Sequence, residues 1–346
     1  MGRRVVEMDF KRGRWNNTNH DSRATQPRLP SKINMPAYEI EKSVVIDASP
    51  ERVFEVVADY RTWTTWSPWL IAEPTATVTV SKDAASVGSL YGWQGQVTGQ
   101  GELEHKRLVP GQLVEDELRF IKPFKSICKT SFKLAPEGAG TRVAWDMKGS
   151  MPWFLFWMIP MLKTFIGMDY QRGLNMLKEW IETGAIASKT IVHDVEKVAA
   201  FRMAGIASKC SIDDVSASME QAFEQARIEF RKAGLSMDKG MISVYTKFRI
   251  KEAAFDYISG FFVNDDAVVP SSSPLKTWVL PACNAFRVEH VGAYRHLGNG
   301  WSVANQLCRY KKLKQQRIGT YEIYRTTPPQ FQEEDIKTDI YLPLRK

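Results

Sequence analysis

Cysteine is scarce, and its spacing excludes a disulfide framework or a zinc ribbon. Only Cys128, Cys210, Cys283 and Cys308 occur in 346 residues, far apart, with no CxxC pair and no histidine at metal-ligand spacing. Buried reduced thiols and a cytoplasmic location are the expectation, with no metal and no cofactor called for. A long hydrophobic run is missing too. The most apolar stretch, Met151 to Leu162, is about 12 residues long and carries Pro152 and Pro160, whereas a membrane-spanning helix needs about 20. Arg3-Arg4 has no apolar segment behind it of the kind an export signal requires.

Charge is present, but not where a nucleic-acid surface would need it. The formal net charge is +8. Residues 1 to 34 hold eight Lys or Arg against three Asp or Glu, a net +5, so about +3 is left for the other 312 residues. Residues 1–35 read as a disordered basic tail, because Arg3, Arg4, Lys11, Arg12, Arg14, Arg23 and Arg28 stand among polar residues and prolines without apolar periodicity. Met35, just before the first patterned strand, would make a natural start, leaving the tail as an upstream extension.

What remains is long enough for two cores, and the pattern is α+β. In the first module, residues 36–185, Tyr38, Ile40, Val44 and Ile46 alternate with polar residues and predict a half-buried strand. Ser49-Pro50-Glu51 predicts a capped helix start. Six strand-like runs follow between Ala76 and Met147, close enough in sequence for an antiparallel meander. A closing helix is predicted over Met168–Glu182, with Gly184 as its stop.

These residues resemble the START-like, or polyketide cyclase, superfamily. The resemblance rests on Val45-Ile46-Asp47-Ala48-Ser49-Pro50-Glu51-Arg52-Val53-Phe54, on Asp59-Tyr60 through Trp69, on Gly140 to Trp145, and on Gly173-Leu174 with Leu177-Lys178. It implies a helix-grip fold, an antiparallel sheet with a long C-terminal helix that encloses an apolar cavity. The family includes lipid carriers, cyclases and stress proteins, so the fold does not name an activity. Trp93, Trp145 and His105 are the candidate cavity residues, with Trp153 and Trp157 as further aromatics; core packing is the commoner role for such tryptophans, and a solvent-facing or hydrogen-bonded position for a lone strand histidine. His105 shares strand parity with Leu103 and points inward on that reading. Glu115 and Glu117 share one strand face and Asp116 takes the other. No acid and base pair for cyclisation stands out.

The second module, residues 190–346, contains an internal repeat of strand, helix, strand, strand with an offset of about 85 residues. Val198 to Arg202 corresponds to Asn284 to Arg287. Ile242-Ser243-Val244-Tyr245 corresponds to Tyr321-Glu322-Ile323-Tyr324, and Phe255 to Ile258 corresponds to Thr338 to Tyr341. Such a duplication predicts a pseudo-twofold axis with a groove between the halves. The residues resemble the gyrase-inhibitor-like, or regulator effector-binding, family, through His290-Val291-Gly292-Ala293-Tyr294, Tyr321-Glu322-Ile323-Tyr324 and Thr338-Asp339-Ile340-Tyr341-Leu342-Pro343-Leu344.

That resemblance implies a pocket for small, often cationic molecules, with Glu322 as its carboxylate. The slot matching Glu322 in the first copy is Ser243, so the repeated fold itself does not demand an acid there. Tyr324, Tyr294, Trp301 and Tyr321 complete the candidate ligand site. Three functions follow as expectations: binding or sensing of a small hydrophobic or cationic molecule, detoxifying hydrolysis or cyclisation with Glu322 as a candidate base, and carriage of a lipid or hydrophobic metabolite. No helix-turn-helix precedes residue 190, so direct DNA binding is not expected. A protein partner or a homodimer is left open.

Overall fold

The structure is a computed structural model, and it describes residues 35–345. The expected disordered tail therefore lies outside the described residues, save Met35.

The first half is a seven-stranded antiparallel sheet of β1 (Ala37–Ile46), β2 (Thr77–Val80), β3 (Leu90–Gln94), β4 (Gln100–Val109), β5 (Leu113–Lys122), β6 (Ser126–Glu137) and β7 (Gly140–Ser150). Strands β2 to β7 form a meander, and β1 closes it beside β7. α1 (Pro50–Ala58) starts as its sequence predicts: the Ser49 hydroxyl accepts the Arg52 amide at 3.2 Å, and Pro50 occupies the first turn. A short α2 (Trp63–Trp66) follows. α3 (Ile159–Thr183) lays its Tyr170 ring on Trp145 and ends at Gly184, whose φ of 79° is open to glycine. The helix begins nine residues earlier than expected. Pro160 reads as a break in sequence, yet it sits in the first turn, where its missing N–H has no partner to lose.

The second half is an eight-stranded sheet carrying α4 (Val215–Lys232) and α5 (Leu297–Tyr310). Its strands are β8 (Ser188–Val198), β9 (Phe201–Ser211), β10 (Met241–Arg249), β11 (Ala254–Val263), β12 (Lys276–Leu280), β13 (Cys283–Gly292), β14 (Thr320–Tyr324) and β15 (Lys337–Leu344), in the order β12-β9-β11-β10-β14-β15-β13-β8. The first copy (β9, α4, β10, β11) and the second (β13, α5, β14, β15) meet at β10 and β14. There Ser243 lies directly opposite Glu322, so the two residues equated by the repeat straddle the pseudo-twofold axis.

Sequence periodicity missed one device. β8 leads into β9 yet pairs with β13, and β12 leads into β13 yet pairs with β9. Each copy is thus edged by the other copy's lead strand. The links are only Ala199-Ala200 and Pro281-Ala282. Chain that short spans roughly 10 Å, so opposite edges of the sheet approach each other and the sheet curls. Tyr321, Tyr341, Met203, Ile242 and Val244 pack together on the face away from the helices.

α3 joins the halves. Arg172, nearly buried, donates to Asp169 at 2.6 Å, to the Pro68 carbonyl at 3.2 Å, and to Asn299 and Ser302 of α5 at 3.0 Å each. Glu179 accepts from Arg295 at 2.6 Å and from His296. Burial works to raise the Glu179 carboxyl, but these two partners hold it below the usual carboxylate range.

Candidate functional site

Period-two alternation places Glu322 and Tyr324 on the helix-covered face of β14 and Tyr321 on the other. Glu322 is fully buried. Its Oε1 accepts a hydrogen bond from the Tyr245 hydroxyl at 3.0 Å and another from the Trp301 indole, and its Oε2 accepts from the Tyr324 hydroxyl at 2.7 Å. All three donors are neutral, and Glu322 has no ion pair among the described residues. Burial pushes its carboxyl up, partly opposed by the three hydrogen bonds.

The surrounding rings, mostly buried, form a wall beside that carboxylate. Tyr245 meets Trp301 edge to face with centroids 5.1 Å apart, and Tyr294 meets Tyr324 likewise at 5.9 Å. The Tyr294 phenol is pushed up to about 12, by burial first and then by the Glu322 charge. Met219 of α4 lies 3.8 Å from the Tyr245 hydroxyl and 3.7 Å from that of Tyr324. The site therefore sits between α4 and α5, above the two central strands.

Of the residues expected there, Glu322, Tyr324, Tyr294 and Trp301 come together and Tyr321 does not. Tyr321 is buried on the opposite face, stacked on Tyr341 at 4.9 Å, and its alternation with Glu322 requires this. Tyr245 was missed, although the repeat equates it with Tyr324. The two pseudo-symmetric tyrosines clamp one carboxylate that has no symmetric counterpart. Ser243 Oγ lies 3.1 Å from the Tyr324 hydroxyl, and because the one phenol proton goes to Glu322 the serine is the donor of that pair.

α5 approaches the sheet closely at Gly300, where a Cβ would lie 2.7 Å from Ile340 Cδ1 and 3.3 Å from His290 Cβ. Beneath it His290 is buried, with Nε2 3.1 Å from the Ala293 carbonyl and Nδ1 unpartnered. Burial pulls its pKa down to about 4.

In the first half the candidate cavity residues Trp93, Trp145 and His105 are packed against neighbouring side chains. Trp145 is stacked between Tyr170 at 3.9 Å and Phe132 at 4.7 Å, and its indole donates to Thr130 at 3.0 Å. Trp93 lies edge-on to Phe120 at 6.1 Å and donates to the Thr98 carbonyl at 3.3 Å. His105 is buried with Nδ1 2.5 Å from Asp116 Oδ1 and Nε2 2.8 Å from the Ala58 carbonyl, beneath a stacked Tyr60 at 3.9 Å. Trp63, Trp66 and Tyr91 fill the space between. Two clefts, of about 590 and 370 Å³, lie elsewhere, by Pro50 and Gly111 and by Thr64 and Val78. Trp153 and Trp157 line nothing: they are 61% and 63% exposed. The His105–Asp116 pair was also missed. The two residues are cross-strand partners in the β4–β5 hairpin, but a bulge between His105 and Arg107 shifts the register that a regular hairpin would give.

Fold and site together define a chain of two α+β modules, one closed over aromatic rings and one built around a buried acid. Residues 37–182 match the family of polyketide cyclase/dehydrase and lipid transport proteins, and residues 193–345 match the GyrI-like small molecule binding domain. The chain carries a polyketide cyclase-like domain followed by a GyrI-like domain, so both halves fall in small-molecule-binding families. No curated protein matches it in sequence. Similar solved structures include a protein from Chromobacterium violaceum (21% identical, covering 42% of this chain and 97% of that one, TM-score 0.32). CalU16 from Micromonospora echinospora is 14% identical, covering 43% and 77%, with TM-score 0.30. Aha1 from Colwellia psychrerythraea is 19% identical, covering 42% and 98%, with TM-score 0.31. No described helix is long and apolar enough to cross a membrane.

Proposed function

We propose that the GyrI-like half binds a flat organic cation over Glu322, and that the protein binds or senses this molecule rather than converting it. One observation carries the reading: a fully buried carboxylate is met only by neutral donors, Tyr245, Trp301 and Tyr324. A buried charge ordinarily has a charged partner, because desolvation is otherwise too costly. A ligand cation would supply it, held by the acid below and by the ring faces of Tyr294, Tyr245 and Trp301 around it. Exclusion of water strengthens both attractions.

Sensing has a physical route. Trp301 lies on α5 between Asn299 and Ser302, the two residues that hold Arg172 of α3. A ligand that moves Trp301 also biases the junction between the halves, to the extent that it binds the two arrangements differently.

Hydrolysis is the competing reading, favoured by the raised Glu322 carboxyl beside Tyr294. Against it, three hydrogen bonds already stabilise the carboxylate and weaken it as a base toward water. The test is native mass spectrometry on protein purified gently, with Glu322→Gln alongside. A bound small molecule lost in the variant supports the site. A ligand retained equally, or turnover of the captured molecule by the wild type, contradicts the reading.

A further inference from the structure

The apolar stretch Met151 to Leu162 finds no core. Residues 153–158 form a turn of 3-10 helix in which no residue is buried, and Trp153, Phe154, Phe156 and Trp157 are each about 60% exposed. The β5–β6 turn adds Phe124, 82% exposed, and the start of β6 adds Ile127, 65% exposed. These two groups share one end of the sheet. Lys129 pairs with Lys148 across β6 and β7, so the same register carried outward sets Ile127 beside Ser150, where the aromatic segment leaves the sheet. Five exposed aromatic rings of about 200 Å² each, at these exposures, amount to roughly 600 Å², the upper end of what a monomer shows in one patch.

The unpaired charge around the patch is positive. Lys122, Lys125, Lys129 and Lys163 are exposed and form no ion pair among the described residues. The neighbouring acids are paired with other cations: Glu39 with Lys148 at 2.9 Å, and Glu117, across the strand from Lys129, with Arg119 at 2.9 Å. Tryptophan and phenylalanine projecting beside free lysines are the side chains that settle at a lipid headgroup boundary, rings in the acyl margin and ammonium groups on anionic phosphates.

We propose that the aromatic turn 153–158 and the β5–β6 turn form a docking face for an anionic phospholipid bilayer, which the protein touches without spanning. The charge complementarity commits the face to anionic lipid, since an uncharged bilayer would leave the lysines without partners.

The experiment is flotation of the full chain with vesicles of phosphatidylcholine containing phosphatidylglycerol, and with vesicles of phosphatidylcholine alone. Tryptophan emission is recorded in parallel. The expected result is flotation with the anionic vesicles, a blue shift on binding, and weakening by salt. The double variant Trp153→Ser, Trp157→Ser weakens binding roughly a hundredfold at an unchanged melting temperature, as withdrawing two rings from the lipid boundary requires. Lys122→Glu with Lys125→Glu weakens it for anionic vesicles. Absence of vesicle binding overturns the proposal. So does equal binding to both lipids, or binding that the Trp variant retains, which belongs to another part of the chain. Self-association or capture of an acidic protein through the patch, without vesicle binding, also overturns it.

Discussion

Asp116 in the first half and Glu322 in the second are both carboxylates buried against aromatic rings, and the two are treated differently. Asp116 has His105 within 2.5 Å, on a strand paired directly with its own. Glu322 has three neutral donors and no cation. A buried acid with a basic partner built in is closed, and its removal should cost stability. A buried acid without one is open to a partner from outside, and its removal should cost binding. The same environment of rings thus serves packing in one half and recognition in the other.

The largest expected effect lies on the closed side. His105→Ala leaves Asp116 buried and uncompensated and should destabilise the protein by about 3–5 kcal/mol, measured by urea denaturation. Cation binding at Glu322 should persist in whatever fraction stays folded. If His105→Ala instead abolished binding at an unchanged melting temperature, the division between the halves would fail.

His290 gives a pH signature next in size. Its folded pKa of about 4 lies below the ordinary value, so the folded state binds fewer protons than the unfolded chain. Its contribution is intact above about pH 6.5 and is lost as pH falls toward 4, a difference of about 3 kcal/mol by linkage. His290→Gln should flatten the stability profile in that window.

On the open side, Glu322→Gln should weaken cation binding by about a hundredfold, or roughly 2.7 kcal/mol, while moving stability far less than His105→Ala does. In the wild type, affinity for a cation should rise with pH, because the raised Glu322 carboxyl must be ionised to attract it. The ligand-free protein runs the other way: as pH rises from the ordinary glutamate range through the raised folded value, stability falls. The smallest effect is expected for Gly300→Ala. Its methyl must displace the Ile340 side-chain end and press on His290, costing about 1–2 kcal/mol. It should weaken binding only through the displacement of Trp301, which titration of the variant would reveal.

Sequence made much of this legible, and the failures have physical causes. The repeat located Glu322 and its odd partner Ser243, and the structure sets them opposite each other on the axis. The same repeat carried Tyr245, which was overlooked, and strand alternation already forbade Tyr321 from sharing a face with Glu322. The exchanged edge strands β8 and β12 were not legible, because their pairing spans the duplication and no local pattern encodes it. Trp93 and Trp145 read as cavity candidates with core packing as the commoner role, and only three-dimensional packing separates a ring that lines a void from one that fills it.

The central claim is that Glu322 awaits a positive charge, and a pair of probes of one shape tests it. Titration calorimetry with N-methylacridinium and with uncharged acridine, against the wild type and Glu322→Gln, isolates the charge from the ring. The account predicts that the wild type prefers the cation strongly and that the variant binds the two alike. Equal affinity of the wild type for both probes, or an unchanged preference in the variant, would contradict it.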